Sequence, residues 1–279
     1  MPHCKRVVAP CVEWFRVQGR QSCFSYCRRS SRIAGALLFP EGEGQAILTT
    51  TFSNASNAYD SQGRLVKTPS YRKFELDGYV EYGAADWLTL VGQGGGMDFQ
   101  GSSSTPAPFS ASPAASYAGL GLGSIGARVR LGEVAGYYFS LEGSLRAASH
   151  TAETYLDMRD FLQVDARVQM FHSLETWGFP AFLDVQLGYR SRGQNGDEIR
   201  ADLTFGVRPQ PAVLLMAQSF TAIAPWPSTP SSFAAQKFEV SGVYDLNRIF
   251  SVQLGFVYAP FGANAPAERG IISAVWARF

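Results

Sequence analysis

Cysteine is missing from the last 247 residues of this 279-residue chain; Cys4, Cys11, Cys23 and Cys27 all lie in the first 32. That absence excludes a disulfide framework for the body and suits a chain that passes through an oxidising compartment, where stray thiols mispair. The four cysteines do not form a zinc pattern either: Cys23 and Cys27 are followed by no C-x-x-C or paired histidines. Long apolar runs are also missing. The longest is Ile33–Phe39, seven residues, far below the ~20 that a membrane-spanning helix needs. Charge is sparse, at 17% of residues with a net of +1, while aromatics reach 13%. A nucleic-acid partner and a disordered chain are both disfavoured by that balance.

The charges divide the chain unevenly. Residues 1–32 carry seven basic groups against one acid, Glu13, whereas the rest carries 17 basic and 22 acidic groups, a net of −5. An export signal has a basic start, an apolar core and a small-residue cleavage site. Here the basic start is present, but the apolar core ends at Pro40. Residues 1–36 are therefore expected to be a disordered leader, either a degenerate signal or a misassigned start. Residues 37–279 are expected to form a single barrel.

From Glu41 onward side chains alternate with a period of two, the mark of half-buried strands. Lys73, Glu75, Asp77, Tyr79 and Glu81 share one face, and Phe74, Leu76, Gly78, Val80 and Tyr82 the other. A helix would scatter those charges around its circumference; a strand separates them. The same split recurs at 161–170, 181–190 and 199–208, and in shorter form at 44–54, 87–97, 118–131, 137–147, 212–222, 236–244, 249–258 and 270–279. That makes twelve expected strands.

Short turns at 83–86, 132–136, 173–178, 209–211 and 245–248 alternate with longer polar loops at 55–70, 98–116, 148–160, 191–198, 223–235 and 259–269. Such alternation between strands of about ten residues predicts an antiparallel up-and-down transmembrane β-barrel with short periplasmic turns and longer external loops. A soluble barrel would turn its apolar face inward. Aromatics at the expected strand ends favour lipid outside: Tyr82, Trp87, Tyr117, Tyr137, Phe171, Trp177, Tyr189, Phe250, Tyr258 and Phe279. Outer-membrane lipid is thus an expected partner, and the bacterial outer membrane the expected location. In the final strand Ile271, Val275 and Phe279 share a face and the chain stops at Phe279. This resembles the C-terminal signal by which the barrel-assembly machinery recognises its clients.

If charges face the lumen, its lining comprises Lys73, Glu75, Asp77, Glu81, Arg128, Arg130, Glu142, Arg146, Asp165, Arg167, Asp184, Arg190, Arg200, Asp202, Arg208, Lys237 and Glu239. Basic and acidic groups nearly balance, so strong ion selectivity is not expected. Arg128 and Arg130 are expected to pair with Glu142, and Asp165 and Arg167 with Asp184. Charge thins after Arg208, where the later strands offer mainly Gln218, Ser251, Gln253 and Arg278, with Trp276 and Val257. A wall polar on one side and apolar on the other points toward amphiphilic cargo.

Gly42–Thr49, Tyr79–Gly83 with Asp86–Leu90, and Gly119–Gly121 with Gly126–Leu131 resemble the XagA-like and phenol-degradation MetA-like outer-membrane proteins over roughly 41–279. The resemblance implies a barrel and hints at transport, with no catalytic site to carry over. Gly121-x-Gly123-x-x-Gly126 spells a dinucleotide fingerprint, but a period-two strand follows where a helix is required. No cofactor or metal is expected. The leading expectation is a narrow channel for small or amphiphilic solutes or an exopolysaccharide-related glycan, partly closed by the 98–116 loop. The alternative is a barrel enzyme that modifies lipid or polysaccharide. Such an enzyme would need an activated histidine, and only His3, His150 and His172 exist. Glu153 or Asp157 could serve His150. A closed structural barrel that displays its loops is the third reading.

Overall fold

The computed structural model describes residues 35–101, 116–148, 162–192, 197–225 and 232–279. These residues all belong to one compact unit. Strands β1 (Gly44–Tyr59), β2 (Leu65–Ala85), β3 (Leu88–Gly101), β4 (Ser116–Val134), β5 (Tyr137–Ala148), β6 (Leu162–Thr176), β7 (Phe179–Ser191), β8 (Glu198–Gln210), β9 (Val213–Ala224), β10 (Phe233–Asp245), β11 (Phe250–Ala263), the two-residue β12 (Ala265–Pro266) and β13 (Arg269–Arg278) follow in order. Each long strand pairs antiparallel with its chain neighbour, and β1 pairs with both β2 and β13. Twelve long strands thus close an all-β antiparallel barrel, which leaves no edge to expose unpaired backbone in lipid.

Every expected strand is present, and most are longer than expected. The expected loop at 55–70 contracts to five residues because β1 and β2 continue to Tyr59 and Leu65. A side chain makes that contraction feasible: Asp60 Oδ1 accepts from the amides of Gln62 (2.8 Å) and Arg64 (2.9 Å), and Gly63 takes φ +75°. These bonds and the Arg64 guanidinium hold the Asp60 carboxyl below its usual range. Ala135-Gly136 and Trp177-Gly178 have positive φ at both residues, the backbone of two-residue turns whose twist matches the flanking strands. Of the expected loop 98–116, the ends belong to β3 and β4 and residues 102–115 lie outside the described residues, as do most of 148–160 and residues 1–34.

Alternation places the two chemistries on opposite faces. Ile125, Leu254 and Leu187 are 71%, 65% and 60% exposed, while Glu81 is 0% and Arg128 2% exposed. An exposed apolar belt on a closed sheet, with its charges inside, is the inverse of a soluble barrel and matches hydrocarbon solvent. Of the aromatics expected at the interfaces, Tyr82, Trp87, Tyr137, Trp177, Tyr189, Phe250, Tyr258 and Phe279 are exposed. Phe171 is a correction. It shares the inward parity of Asp165 and Gln169, is 8% exposed and stacks on Phe182 at 5.7 Å. The side chain of Tyr117 is outside the description.

Residues 35–43 precede β1; residues 35–39 run inside the barrel at its short-turn end, and Glu41, Gly42 and Glu43 lie exposed at the rim. The amide of Phe39 donates to Thr89 Oγ1 on β3 (3.1 Å), and that of Ala36 donates to Asp184 Oδ2 on β7 (2.9 Å). Because β3 and β7 are four strands apart, the segment straps across the interior. Ala36 packs into a buried floor of Phe171, Phe182, Leu214, Met216, Val243, Ala274 and Trp276, with Leu37, Ile47 and Tyr138 beside it. The inward apolar positions of the later strands therefore meet the chain's own residues.

Candidate functional site: the charged inner wall

Among the described residues, three large ion-paired groups, a smaller one at the short-turn rim and an open cavity mark the inner wall. Near the short-turn end Arg128 bridges two carboxylates. Its Nε and Nη2 donate to Glu142 Oε2 at 2.9 and 2.7 Å, and its Nη1 lies 2.7 Å from Glu81 Oε1 without hydrogen-bond alignment. Tyr79 Oη accepts from Arg128 (3.2 Å) and donates to Glu81 (2.8 Å); Gln45 donates to Glu81 (2.8 Å) and Gln169 to Glu142 (3.0 Å). The register explains the reach: Arg128 faces Thr89 on β3 and Glu142 on β5, so the compact threonine lets the arginine lie across to β2.

A second group occupies the long-loop half of β6–β8. Arg167 contacts Asp165 (2.8 Å) and Asp202 (3.0 Å), and Arg190 contacts Asp165 (2.8 Å) and Glu198 (3.7 Å). Arg200 and Arg192 lie 3.7 and 3.6 Å from Glu198. The expected pairing of Asp165 and Arg167 with Asp184 is a correction. Asp184 stands opposite Phe171, not Arg167, and holds the Ala36 amide and Gln186 instead.

The third group straddles the seam where β1 meets β13. Glu268 takes Lys73 at 3.0 Å, Lys237 at 2.7 Å and the Tyr71 hydroxyl at 2.5 Å; Lys73 also contacts Glu75 at 3.1 Å. Glu268 sits in the connection before β13, where burial opposes its charge. The two lysines and the hydrogen bonds from Lys237 and Tyr71 outweigh that opposition and hold its carboxyl well below the carboxylate range. Ala55 and Ala259, both 3% exposed, are small enough for long side chains to cross over them.

Among the remaining expected lining residues, Arg208 contacts Asp245 at the short-turn rim (3.1 Å), and Glu239 accepts from Gln253 (3.1 Å). Arg130 shares the parity of Arg128 but is exposed beside the bulge between Arg130 and Gly132, and of the two Arg128 alone pairs with Glu142. Asp77 and Arg146 line one cavity of about 230 Å³ with Glu75, Gln93, Gly95, Gly96, Met97 and Ser124.

His172 is stacked on Tyr137 at 4.0 Å, with its Nδ1 3.1 Å from the Gly136 carbonyl oxygen. His150, Glu153 and Asp157 lie outside the described residues. No cluster of three His, Cys, Asp or Glu with metal-holding geometry occurs among the described residues.

Glu268, Tyr71 and the strap were not legible as wall elements in the sequence. Glu268 fell in an expected loop, although extending the even-numbered inward parity of 270–278 by one step reaches it. The strap's apolar residues read as a truncated signal core.

The geometry defines a transmembrane β-barrel of the bacterial outer-membrane class. The COG4313 outer-membrane channel from Pseudomonas putida F1 is similar in structure, with a TM-score of 0.63 at 15% identity over 90% of this chain and 100% of that one. The NanC porin is similar at a TM-score of 0.50 and 7% identity, over 82% of this chain and 98% of that one. No protein-family model matches the sequence, and no curated protein matches it. At these identities the likeness speaks for the fold alone, a closed antiparallel barrel.

Proposed function

We propose that this protein is a narrow outer-membrane channel for small solutes, strapped at its periplasmic end by residues 36–39. The carrying observation is the crossing of the interior between Thr89 and Asp184 by those residues, beneath a charged, cavity-bearing wall. The structurally similar protein from Pseudomonas putida F1 is an outer-membrane channel, which supports this reading. So does the cavity lined by Asp77 and Arg146, because charges without a partner cost least where water reaches them. The apolar inner floor is already covered by Ala36 and Leu37, which favours small polar solutes over oily ones. The seventeen charged residues named from the sequence would line the route, Phe279 with Val275 and Ile271 would guide assembly, and the residues before the strap would form the leader. Kinship with the MetA-like group rests on the strand motifs quoted above.

Planar-bilayer recording tests the channel directly. The full chain should give small, rare openings, and a variant lacking residues 35–39 should conduct several-fold more, because removing the strap frees the floor of the lumen. A strapless variant that is folded and inserted yet passes no current would overturn the proposal.

A further inference from the structure

We propose that the recess between β2 and β5 binds a small zwitterion, with its ammonium on Asp77 and Glu75 and its carboxylate on Arg146. The observation behind this is a pair of opposite charges without partners beside arginines that have them. Arg128, Arg167, Arg190 and Arg200 each lie close to a carboxylate. Arg146 has neither an ion pair nor a hydrogen bond among the described residues, and its Nε is buried. Asp77 is in the same condition, although both line one cavity of about 230 Å³. Two opposite charges share a recess without touching.

Register keeps them apart. Asp77 stands opposite Gly95 on β3, Gln93 opposite Ser124 on β4, and Ser124 opposite Arg146 on β5. Their backbones are three strand intervals apart, ~14 Å along the wall. The space between is kept open by small residues. A Cβ at Gly95 would come 2.2 Å from Asp77 Oδ1, so glycine there lets the carboxylate lie over β3. Gln93 and Ser124 supply neutral donors and acceptors midway, and Met97 supplies an apolar patch.

Charges left unneutralised in a confined recess are unfavourable, and a ligand with opposite charges at matching separation relieves both at once. A simple anion relieves Arg146 and leaves Asp77 unbalanced; a simple cation does the reverse. Selectivity for a molecule that carries both follows. The cavity holds roughly eight water volumes at ~30 Å³ each, enough for an amino-carboxylate with a short methylene spacer beside Met97.

The channel reading supplies this site's access route, and a bilayer-free measurement tests the site separately. Isothermal titration of the full-length barrel in detergent compares 4-aminobutyrate with butyrate and butylammonium, which share its carbon skeleton. The zwitterion is expected to bind at least about tenfold more tightly than either single ion, the size of one charge-assisted contact. Arg146→Gln should weaken it about tenfold and make butylammonium the better single ion; Asp77→Asn should weaken it similarly and favour butyrate. Arg146→Lys, which keeps the charge, should retain most of the binding, so a folding defect cannot imitate the pattern. Absence of binding, equal binding of all three probes, or variants with unchanged affinity would each overturn the inference. Binding in detergent with no conductance in bilayers would remove the channel reading and leave the site standing, whereas conductance without binding would remove the site alone.

Discussion

Replacing Arg128 with methionine is expected to destabilise the barrel by about 3 kcal/mol, at the lower end of the 3–5 kcal/mol typical for breaking a buried ion pair from one side. The Arg128 side chain is 2% exposed, and those of its partners Glu81 and Glu142 are 0% and 12% exposed. Removing the guanidinium leaves two carboxylates with no cation. They keep some partners: Gln45 and Tyr79 still donate to Glu81, and Gln169 to Glu142. Those remaining bonds set the magnitude near the lower bound. Urea unfolding in detergent micelles measures the difference as a shift of midpoint at unchanged slope. The decisive arm is Glu81→Gln with Glu142→Gln in the Arg128→Met background. If uncompensated charge is the cause, neutralising both acids restores most of the loss, because coupled sites are non-additive. A single variant within 1 kcal/mol of wild type, or a triple variant no better than the single, would refute the reasoning.

The seam predicts a pH dependence. Because the folded Glu268 carboxyl lies below its ordinary value of 4.5, its stabilisation is present above that value and disappears as pH falls toward the folded one. Melting temperatures should therefore differ between wild type and Glu268→Gln at pH 7 and converge on acidification below about pH 4.5. Gly206→Ala places a Cβ 1.9 Å from the Phe182 ring, so thermal unfolding should show a loss of roughly 1–3 kcal/mol from overpacking. Phe279→Ala should lower the yield of folded barrel in outer-membrane fractions while leaving refolding in detergent nearly intact. Equal loss in both would mean that the ring acts in stability, where Gly44 and Phe279 exchange backbone hydrogen bonds of 2.8 and 3.0 Å, and not in recognition.

Strand existence, number and facing were legible because period-two patterning is local: Phe74 and Glu75 announce opposite faces whatever lies across the barrel. Strand ends were less legible. Residues 55–59 read as loop since Asn and Ser are weak strand formers, yet pairing with β2 and β12 carries the ladder to Tyr59. Pairing partners depended on register, which two-residue periodicity leaves free by multiples of two. Arg128 with Glu142 was foreseeable as neighbours on a hairpin. Arg167 with Asp202 was not, because it skips β7 over Gly188, where a Cβ would lie 3.0 Å from Arg167 Cγ.

The amino-acid order by itself determined an antiparallel barrel, since alternation and turn chemistry are written within each hairpin, and its strand-end aromatics pointed to oily residues outward. Closure decided the rest. Only when β1 meets β13 do Lys73 and Lys237 converge on Glu268, only in the closed interior does the 36–39 strap find Thr89 and Asp184, and only there do Asp77 and Arg146 share a cavity without meeting. These relations join residues that are far apart in sequence. Their distances are set by the curvature and stagger of the whole sheet, which no single strand encodes.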